Sequence, residues 1–507
     1  MTQTHREVER KLRVHALFRL PALAGHVPGV ASVETLAPFT MRNTYYDTDD
    51  LRLFRWGVTL RRREGSGDEG WHLKLPVDGA DGTHRDEIRA PLDDRDTPPA
   101  ELTDLVSALL REAPVHSVAT LRTERAPHHL LDDEGHVLAE VVDDTVTVLD
   151  DSRTVGVFRE VEVEAVTEGD HEPDMELLGN VVDSLVEHGA VPHTLSKAAA
   201  ALGPRTQQPP DVPEPRWPAR DDPAGDAVRA FLATHVRRLL LQDIRLRRDL
   251  PDAVHQMRVA ARRLRSGLQV FRPLVDRDWA DRLREELAWA AGSLGVARDT
   301  EVLQERLDRD AGGLSDEDAR LARGVIDPAL EERMRRARGD AEGLLASDRY
   351  RILLEDLVAA AQDPRLTDHA LERCSDALPP LVAKAYRRLS HDVRDLRLDT
   401  ESTQWHETRI AAKRARYAAD AVAPVFGKGA HALAEQLALV TDVLGQHQDA
   451  YVAQATLAEL APTADARSAF ALGLLHGLEQ QSEHRDREAF LALWPDVRRA
   501  ARRSGLL

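Results

Sequence analysis

Glutamate alternates with its neighbours in two segments far apart in the chain, Glu7-Val8-Glu9-Arg10-Lys11 and Glu160-Val161-Glu162-Val163-Glu164. A β-strand turns successive side chains to opposite faces, so each segment predicts one charged face. Glu7, Glu9 and Lys11 share a face, opposite Val8, Arg10 and Leu12; Glu160, Glu162 and Glu164 share another, with valines behind them. Such a face either lies at a solvated edge or lines a wet cavity inside a barrel. Further strand-like segments supply cations: Leu60-Arg61-Arg62-Arg63, Leu73-Lys74-Leu75, and Arg85 two residues before Glu87. Paired carboxylates hold hard divalent cations through oxygen, while lysine and arginine bind phosphate. Acid pairs at both ends of a strand-rich stretch, with cations between, describe a cavity for a metal-bound polyanion.

The periodicity changes along the chain. Residues 1–203 read as strands with some helices: Val58–Arg63 and Trp71–Pro76 flank a Gly-rich turn, and His136–Val142 follows the turn Asp132-Asp133-Glu134-Gly135. Pro99–Arg111 and Met175–His188 have helical spacing instead. Residues 204–222 are proline-rich and predict a semi-extended linker. From about Asp226 the apolar period is 3.6, and an all-helical domain is expected over 223–507.

That second part repeats itself. His255-Gln256-Met257-Arg258-Val259-Ala260-Ala261-Arg262-Arg263-Leu264-Arg265 matches His406-Glu407-Thr408-Arg409-Ile410-Ala411-Ala412-Lys413-Arg414-Ala415-Arg416. Leu294–Asp299 matches Leu444–Asp449, and Arg237-Arg238-Leu239 matches Arg387-Arg388-Leu389. Two helical repeats follow, about 223–370 and 371–507. At about 100° per residue, His255, Arg258, Arg262 and Arg265 share one helical arc, as do His406, Arg409, Lys413 and Arg416; Arg263 points elsewhere. Like charges one turn apart repel, and two copies of one basic stripe predict an anion-binding groove. Arg298 and Asp299 could fix its geometry, although Gln448 stands in the place of Arg298 in the second copy. The two histidines are expected to hydrogen-bond rather than bind metal.

The net charge of −19 argues against broad nucleic-acid binding. It is unevenly spread: 22 basic and 38 acidic residues lie up to Arg205, and 46 and 49 after it. Cys374 is the single cysteine, which fits a reducing, cytoplasmic setting. Neither a signal peptide nor an apolar run of membrane-spanning length is apparent.

The Glu-x-Glu-x-Lys start, followed by Tyr45-Tyr46-Asp47-Thr48-x-Asp50 and Gly57-x-x-Leu60-Arg61-x-Arg63, resembles a CYTH domain of the triphosphate tunnel metalloenzymes, over about residues 1–203. The repeated segments resemble a CHAD domain over about 223–507. The resemblance implies an antiparallel β-barrel tunnel (α+β) followed by an all-α duplicated helical bundle. It further implies a metal-dependent phosphoanhydride hydrolase, an inorganic triphosphatase, with polyphosphate bound by the helical domain. The alternatives within the resemblance are an adenylate cyclase and a non-catalytic polyphosphate scaffold.

On this resemblance Glu7, Glu9, Glu87, Asp143, Glu160 and Glu162 coordinate Mg²⁺ or Mn²⁺, and Lys11, Arg61, Arg63, Lys74, Arg85, Arg125 and Lys197 grip phosphates. Asp144 competes with Asp143 for the inward position, and Arg122 with Arg125, since neither register is fixed. Tyr45, Tyr46 and Trp71 are expected to pack; Arg10 and Arg62 should face outward. Polyphosphate falls to His255, Arg258, Arg262, Arg265, Arg298, His406, Arg409, Lys413 and Arg416. Association with polyphosphate granules follows as an expectation; a membrane or specific nucleic-acid partner does not.

Overall fold

The computed structural model describes residues 3–76, 84–151, 153–166 and 174–507, without the side chains of residues 3–7 and 84. It contains two compact units, Met1–Asp211 and Val212–Leu507. Among the described residues no helix is long and apolar enough to cross a membrane.

Among the described residues the first unit is built on ten strands: β1 (Gln3–Val14), β2 (Ser32–Thr35), β3 (Phe39–Asp47), β4 (Thr59–Glu64), β5 (Gly70–Pro76), β6 (His84–Ala90), β7 (His116–Leu131), β8 (Val137–Asp150), β9 (Arg153–Ala165) and β10 (Val191–His193). They form one antiparallel sheet in the order β10-β1-β6-β5-β4-β3-β7-β8-β9, with β2 beside β7. β6 pairs with residues 3–8 of β1, whereas β9 pairs with residues 9–14. Among the described residues the ends of the sheet meet along the second half of β1. The expected barrel is a curled antiparallel sheet, not a cylinder sealed along its whole length. β10 pairs with residues 11–13 of β1.

The apolar face of these strands looks outward. Val8, Leu12 and Val14 of β1, Ala139 and Val141 of β8, and Val161 and Val163 of β9 form a core with Leu177, Leu178, Val181 and Leu185. The last four lie on one face of α4 (Met175–Glu187), whose N-terminus is capped by the Asp174 carboxylate. Each fully buried Leu or Val contributes about 1.5–3 kcal/mol. Covering one face with a helix leaves the charged face turned inward.

Three single-turn helices, α1 (Arg52–Arg55), α2 (Ala100–Thr103) and α3 (Ser107–Leu110), sit in the connections. The aspartate of the Tyr45-Tyr46-Asp47-Thr48 run is structural. Asp47 is fully buried and accepts hydrogen bonds from the amides of Thr48 (2.7 Å), Leu53 (2.9 Å) and Phe54 (2.9 Å), tying the end of β3 to α1. Tyr46 packs on Trp71 with ring centroids 5.0 Å apart, and Tyr45 joins Phe54, Leu121 and Val146 in an apolar cluster. The start of the expected linker is not extended. After α5 (Lys197–Leu202), residues 203–207 form a 3₁₀ turn, Arg205 donates to the Asp49 carbonyl at 2.7 Å, and Trp56 Nε1 donates to Asp211 at 2.8 Å.

The second unit is helical: α6 (Ala224–Arg247), α7 (Ala253–Val270), α8 (Arg277–Ser293), α9 (Gly295–Ala311), α10 (Asp316–Leu345), α11 (Asp348–Gln362), α12 (Cys374–Ala377), α13 (Pro379–Arg394), α14 (Ser402–Phe426), α15 (Lys428–Leu460) and α16 (Ala466–Arg503). The matched basic segments lie on α7 and α14, which pack against each other. Leu294–Asp299 straddles the junction of α8 and α9, while Leu444–Asp449 lies within the unbroken α15.

Removing the Asp47 carboxylate strands three buried amides. Asp47→Ala is expected to lower stability by about 1–3 kcal/mol, measurable by urea unfolding of the full chain; an unchanged midpoint would contradict this role.

Candidate functional site

Strand alternation sets which charges meet. On β1, Glu9 and Lys11 face away from the outer core. Lys11 lies opposite Glu162 of β9, Arg125 of β7 opposite Asp144 of β8, and Asp144 opposite Glu160. Directly opposed residues share a face at close spacing. Asp144 and Glu160 would therefore repel each other in the absence of a cation. Lys197, the first residue of α5, supplies it. Its Nζ lies 2.9 Å from Asp144, 2.8 Å from Glu160 and 2.7 Å from Glu162. Arg125 forks onto both oxygens of Asp144 (2.9 and 2.7 Å) and reaches Glu162 at 3.0 Å. Lys11 Nζ is 2.8 Å from Glu9 and 3.6 Å from Glu162.

A second group surrounds Glu87, whose carboxylate is fully buried. Arg61 lies at 3.1 Å, His72 Nδ1 at 3.0 Å, Lys74 at 3.6 Å and Arg89 at 2.5 Å. Arg63 donates to Asn43 at 3.1 Å and pairs with Asp68. Burial acts against every charge here, and neighbours decide the outcome. Burial alone would raise Glu9, yet Lys11 and Lys74 hold it at about 2. Glu162 is likewise held well below the usual range, against burial, by Lys197, Lys11 and Arg125. Burial, reinforced by Arg61, brings Arg63 down to about 10. Burial also lowers His72 despite Glu87.

Several expectations are corrected. Asp143 does not face inward: odd positions of β8 share the outer face with Ala139 and Val141, and Asp143 pairs there with Arg159. Asp144 takes the inward place. Arg125 faces in, and Arg122, of opposite parity, is exposed. Glu87 is committed to four basic groups, so it anchors arginines rather than offering free ligand atoms. Arg62 pairs with Glu64 at 2.7 Å, outside the inner set. Arg85 lies opposite Glu7 on β6, and the side chain of Glu7 lies outside the described residues. His72, Asn43 and Arg89 were missed. His72 shares the parity of Lys74 two residues on, a signal available in the sequence.

In the helical unit the basic stripe is partly neutralised. Arg258 pairs with Asp299 at 3.0 Å, Arg298 with Glu301 at 3.0 Å, and Arg416 with Asp442 at 3.2 Å; His406 Nδ1 meets Gln448 at 2.9 Å. Arg263 leaves the stripe, pairs with Asp420 and lies 5.4 Å over the Tyr417 ring, joining α7 to α14. Among the described residues, half-buried Arg262, Arg265, Arg409 and Lys413 have no carboxylate partner within ion-pair distance, and the Nε atoms of Arg262 and Arg409 are buried without a hydrogen bond. His255, whose basicity burial lowers, sits near Asp252, Arg298, Arg262 and Arg258.

The CYTH domain model matches residues 5–175, and the CHAD domain model matches 230–458. Two uncharacterized proteins of Mycobacterium tuberculosis, from strains CDC 1551 / Oshkosh and ATCC 25618 / H37Rv, are each 34% identical over 531 aligned residues, covering 99% of this chain and 98% of theirs. The chain belongs to the family that joins a CYTH domain to a CHAD domain. CYTH domains are metal-dependent domains of the triphosphate tunnel metalloenzymes. Among solved structures, PptA from Streptomyces chartreusis is 28% identical, with 54% of this chain and all of that one covered (TM-score 0.48). The CHAD domain of the plant Ricinus communis is 23% identical, covering 55% of this chain and 94% of its own (TM-score 0.45). HpAC1 from Hippeastrum, described as having a dominant triphosphatase activity, is 18% identical over 39% of this CYTH–CHAD chain and 98% of its own (TM-score 0.24).

Folding lowers the proton affinity of Glu9, Glu160 and Glu162. Their stabilisation is complete above the ordinary glutamate value of 4.5 and is lost as pH falls, for Glu9 toward about 2. Acid titration of the full chain followed by circular dichroism should show this loss; constant stability across that window would contradict the ion cluster.

Proposed function

We propose that the CYTH unit is a metal-dependent triphosphatase that cleaves a phosphoanhydride bond of inorganic triphosphate, and that the CHAD unit binds inorganic polyphosphate between α7 and α14. The supporting observation is one enclosed face on which four carboxylates, Glu9, Asp144, Glu160 and Glu162, meet Lys11, Arg125 and Lys197, beside the cations of Arg61, Arg63 and Lys74. A short phosphate oligomer concentrates negative charge, and its cleavage needs positive charge on every oxygen that gains electron density.

The donor set suits Mg²⁺ or Mn²⁺. All four carboxylates are hard oxygen donors. Glu160 is fully buried, and neither of its oxygens has a hydrogen bond of good geometry, although Lys197 Nζ lies 2.8 Å from one of them. Among the described residues no three acidic or imidazole groups stand at metal-ligand spacing; the ammonium of Lys197 holds the central position between Asp144, Glu160 and Glu162. Glu9, Glu160 and Glu162, with Glu7, would hold the cation. A bound divalent cation supplies charge neutralisation at the departing phosphoryl group. Arg61, Arg63 and Arg125 fork onto phosphate oxygens, where lysine offers only a point charge. Lys11, Lys74 and Arg85 add positive potential, and Lys197 exchanges carboxylate for phosphate as the oligomer enters.

In the CHAD unit, Arg262, Arg265, Arg409 and Lys413 are half-buried cations that, among the described residues, have no carboxylate within ion-pair distance. A polyphosphate laid across α7 and α14 would supply the missing charge.

Phosphate release from triphosphate, ATP and long polyphosphate, with Mg²⁺, Mn²⁺ or chelator, tests the first half. Triphosphate should be the best substrate and the chelator should stop turnover. Glu162→Gln should reduce turnover by about 10²-fold or more while circular dichroism stays native; unaltered turnover would remove Glu162 from the site. For the second half, Arg262→Glu with Arg409→Glu should weaken polyphosphate retention by about tenfold or more and leave triphosphate cleavage unchanged. Arg414→Glu, on the exposed flank, is the control; equal losses in both proteins would refute the groove.

A further inference from the structure

The helical unit contains three lysines, Lys384, Lys413 and Lys428, in a chain otherwise strongly biased toward arginine. Lys384 and Lys428 are exposed. Lys413 is half-buried in the groove, where the first repeat carries Arg262. Arg409 precedes it by one turn of α14, Arg262 and Arg265 act on it from α7, and Asp449 of α15 is the carboxylate that acts on it. Among the described residues no ion pair or hydrogen bond engages the Lys413 ammonium. Burial, with the like charges of Arg409 and Arg262, brings its pKa down to about 8. A lysine treated in this way spends part of its time as a free amine, the nucleophilic form. The arginines beside it have the fork geometry that suits a phosphoryl group. An arginine in the same place could not give up its proton.

We propose that Lys413 is a site of acylation by acyl phosphates, with Arg262, Arg265 and Arg409 holding the phosphoryl group while the lysine nitrogen takes the acyl group. This rests on reading the groove as a phosphate-binding surface. The Lys413 Nζ lone pair attacks the acyl carbon and an N–C bond forms. The bond from that carbon to the phosphate oxygen breaks, its electron pair leaves with inorganic phosphate, and the nitrogen releases its proton to water. The three guanidiniums offset the charge of a bound phosphoryl dianion, which limits how far the donor restores the ammonium. The product is a neutral amide, and the groove loses one cation. Acylation would then tune how tightly the CHAD unit holds a polyanion.

Full-length protein incubated with acetyl phosphate, digested and analysed by mass spectrometry, should carry acetyl groups on Lys413 about tenfold ahead of Lys384 and Lys428. N-hydroxysuccinimidyl acetate, an acyl donor without a phosphoryl group, should narrow that preference. Arg262→Gln with Arg409→Gln, checked for native helicity by circular dichroism, should abolish it. Equal labelling of the three lysines by acetyl phosphate would overturn the proposal, and an undiminished preference with the neutral ester would overturn the role of the arginines. Polyphosphate binding by the unmodified protein is measured separately. Binding without selective acetylation refutes only this inference, whereas selective acetylation without binding refutes only the polyphosphate reading.

Discussion

The CYTH unit depends on one cation placed among three anions. Lys197 Nζ lies within 2.9 Å of Asp144, Glu160 and Glu162, two of which oppose each other directly on neighbouring strands. Carboxylates buried at that spacing cannot all stay ionised without a counter-charge, because desolvation and mutual repulsion both favour protonation. Lys197 comes from α5, beyond the last strand, so part of the counter-charge of the cluster comes from outside the sheet. The ammonium thus links the strands to the segment that follows them.

That arrangement turns the usual layering of a sheet inside out. Charge faces inward, and the apolar face, carrying Val8, Leu12, Val161 and Val163, is covered from outside by α4. Hydrophobic burial holds the frame, and the ion network is suspended within it. Breaking one of these pairs would leave its partner charged and buried, which costs more than the pair itself contributes. The helical unit distributes charge differently. Arg258, Arg298 and Arg416 are paired with carboxylates, while among the described residues Arg262, Arg265, Arg409 and Lys413 have none within ion-pair distance where α7 and α14 meet. One unit gathers opposite charges on an inward face; the other keeps an excess of one sign where two helices meet.

Much of this was legible because alternation is a strong signal. The parity of Glu9 with Lys11 and of Glu160 with Glu162 follows from a period of two, and the duplicated basic segments announced themselves as repeats. Parity could not choose between Asp143 and Asp144, because adjacent acids satisfy either register. The outer core decided it, since Val141 needed the apolar side. Glu87 was expected beside the metal, yet its four partners lie on β4, β5 and β6, and no spacing in the sequence reports such a convergence. His72 shows the reverse case: its place two residues before Lys74 already put it on the inner face. The proline-rich stretch misled in part, because Asp211 finds Trp56 far back in the chain.

By itself the sequence determined the two architectures, the faces on which charge would lie and the repetition of the helical half. These are local properties, set by backbone periodicity and by the solvation preferences of neighbouring side chains. Only the tertiary structure decided which acid meets which base, that Lys197 reaches three carboxylates, and that, among the described residues, four cations of the helical unit have no carboxylate within ion-pair distance. Pairings of that kind depend on distances between residues remote in sequence, and Coulombic energies in a buried site change steeply over a few ångströms.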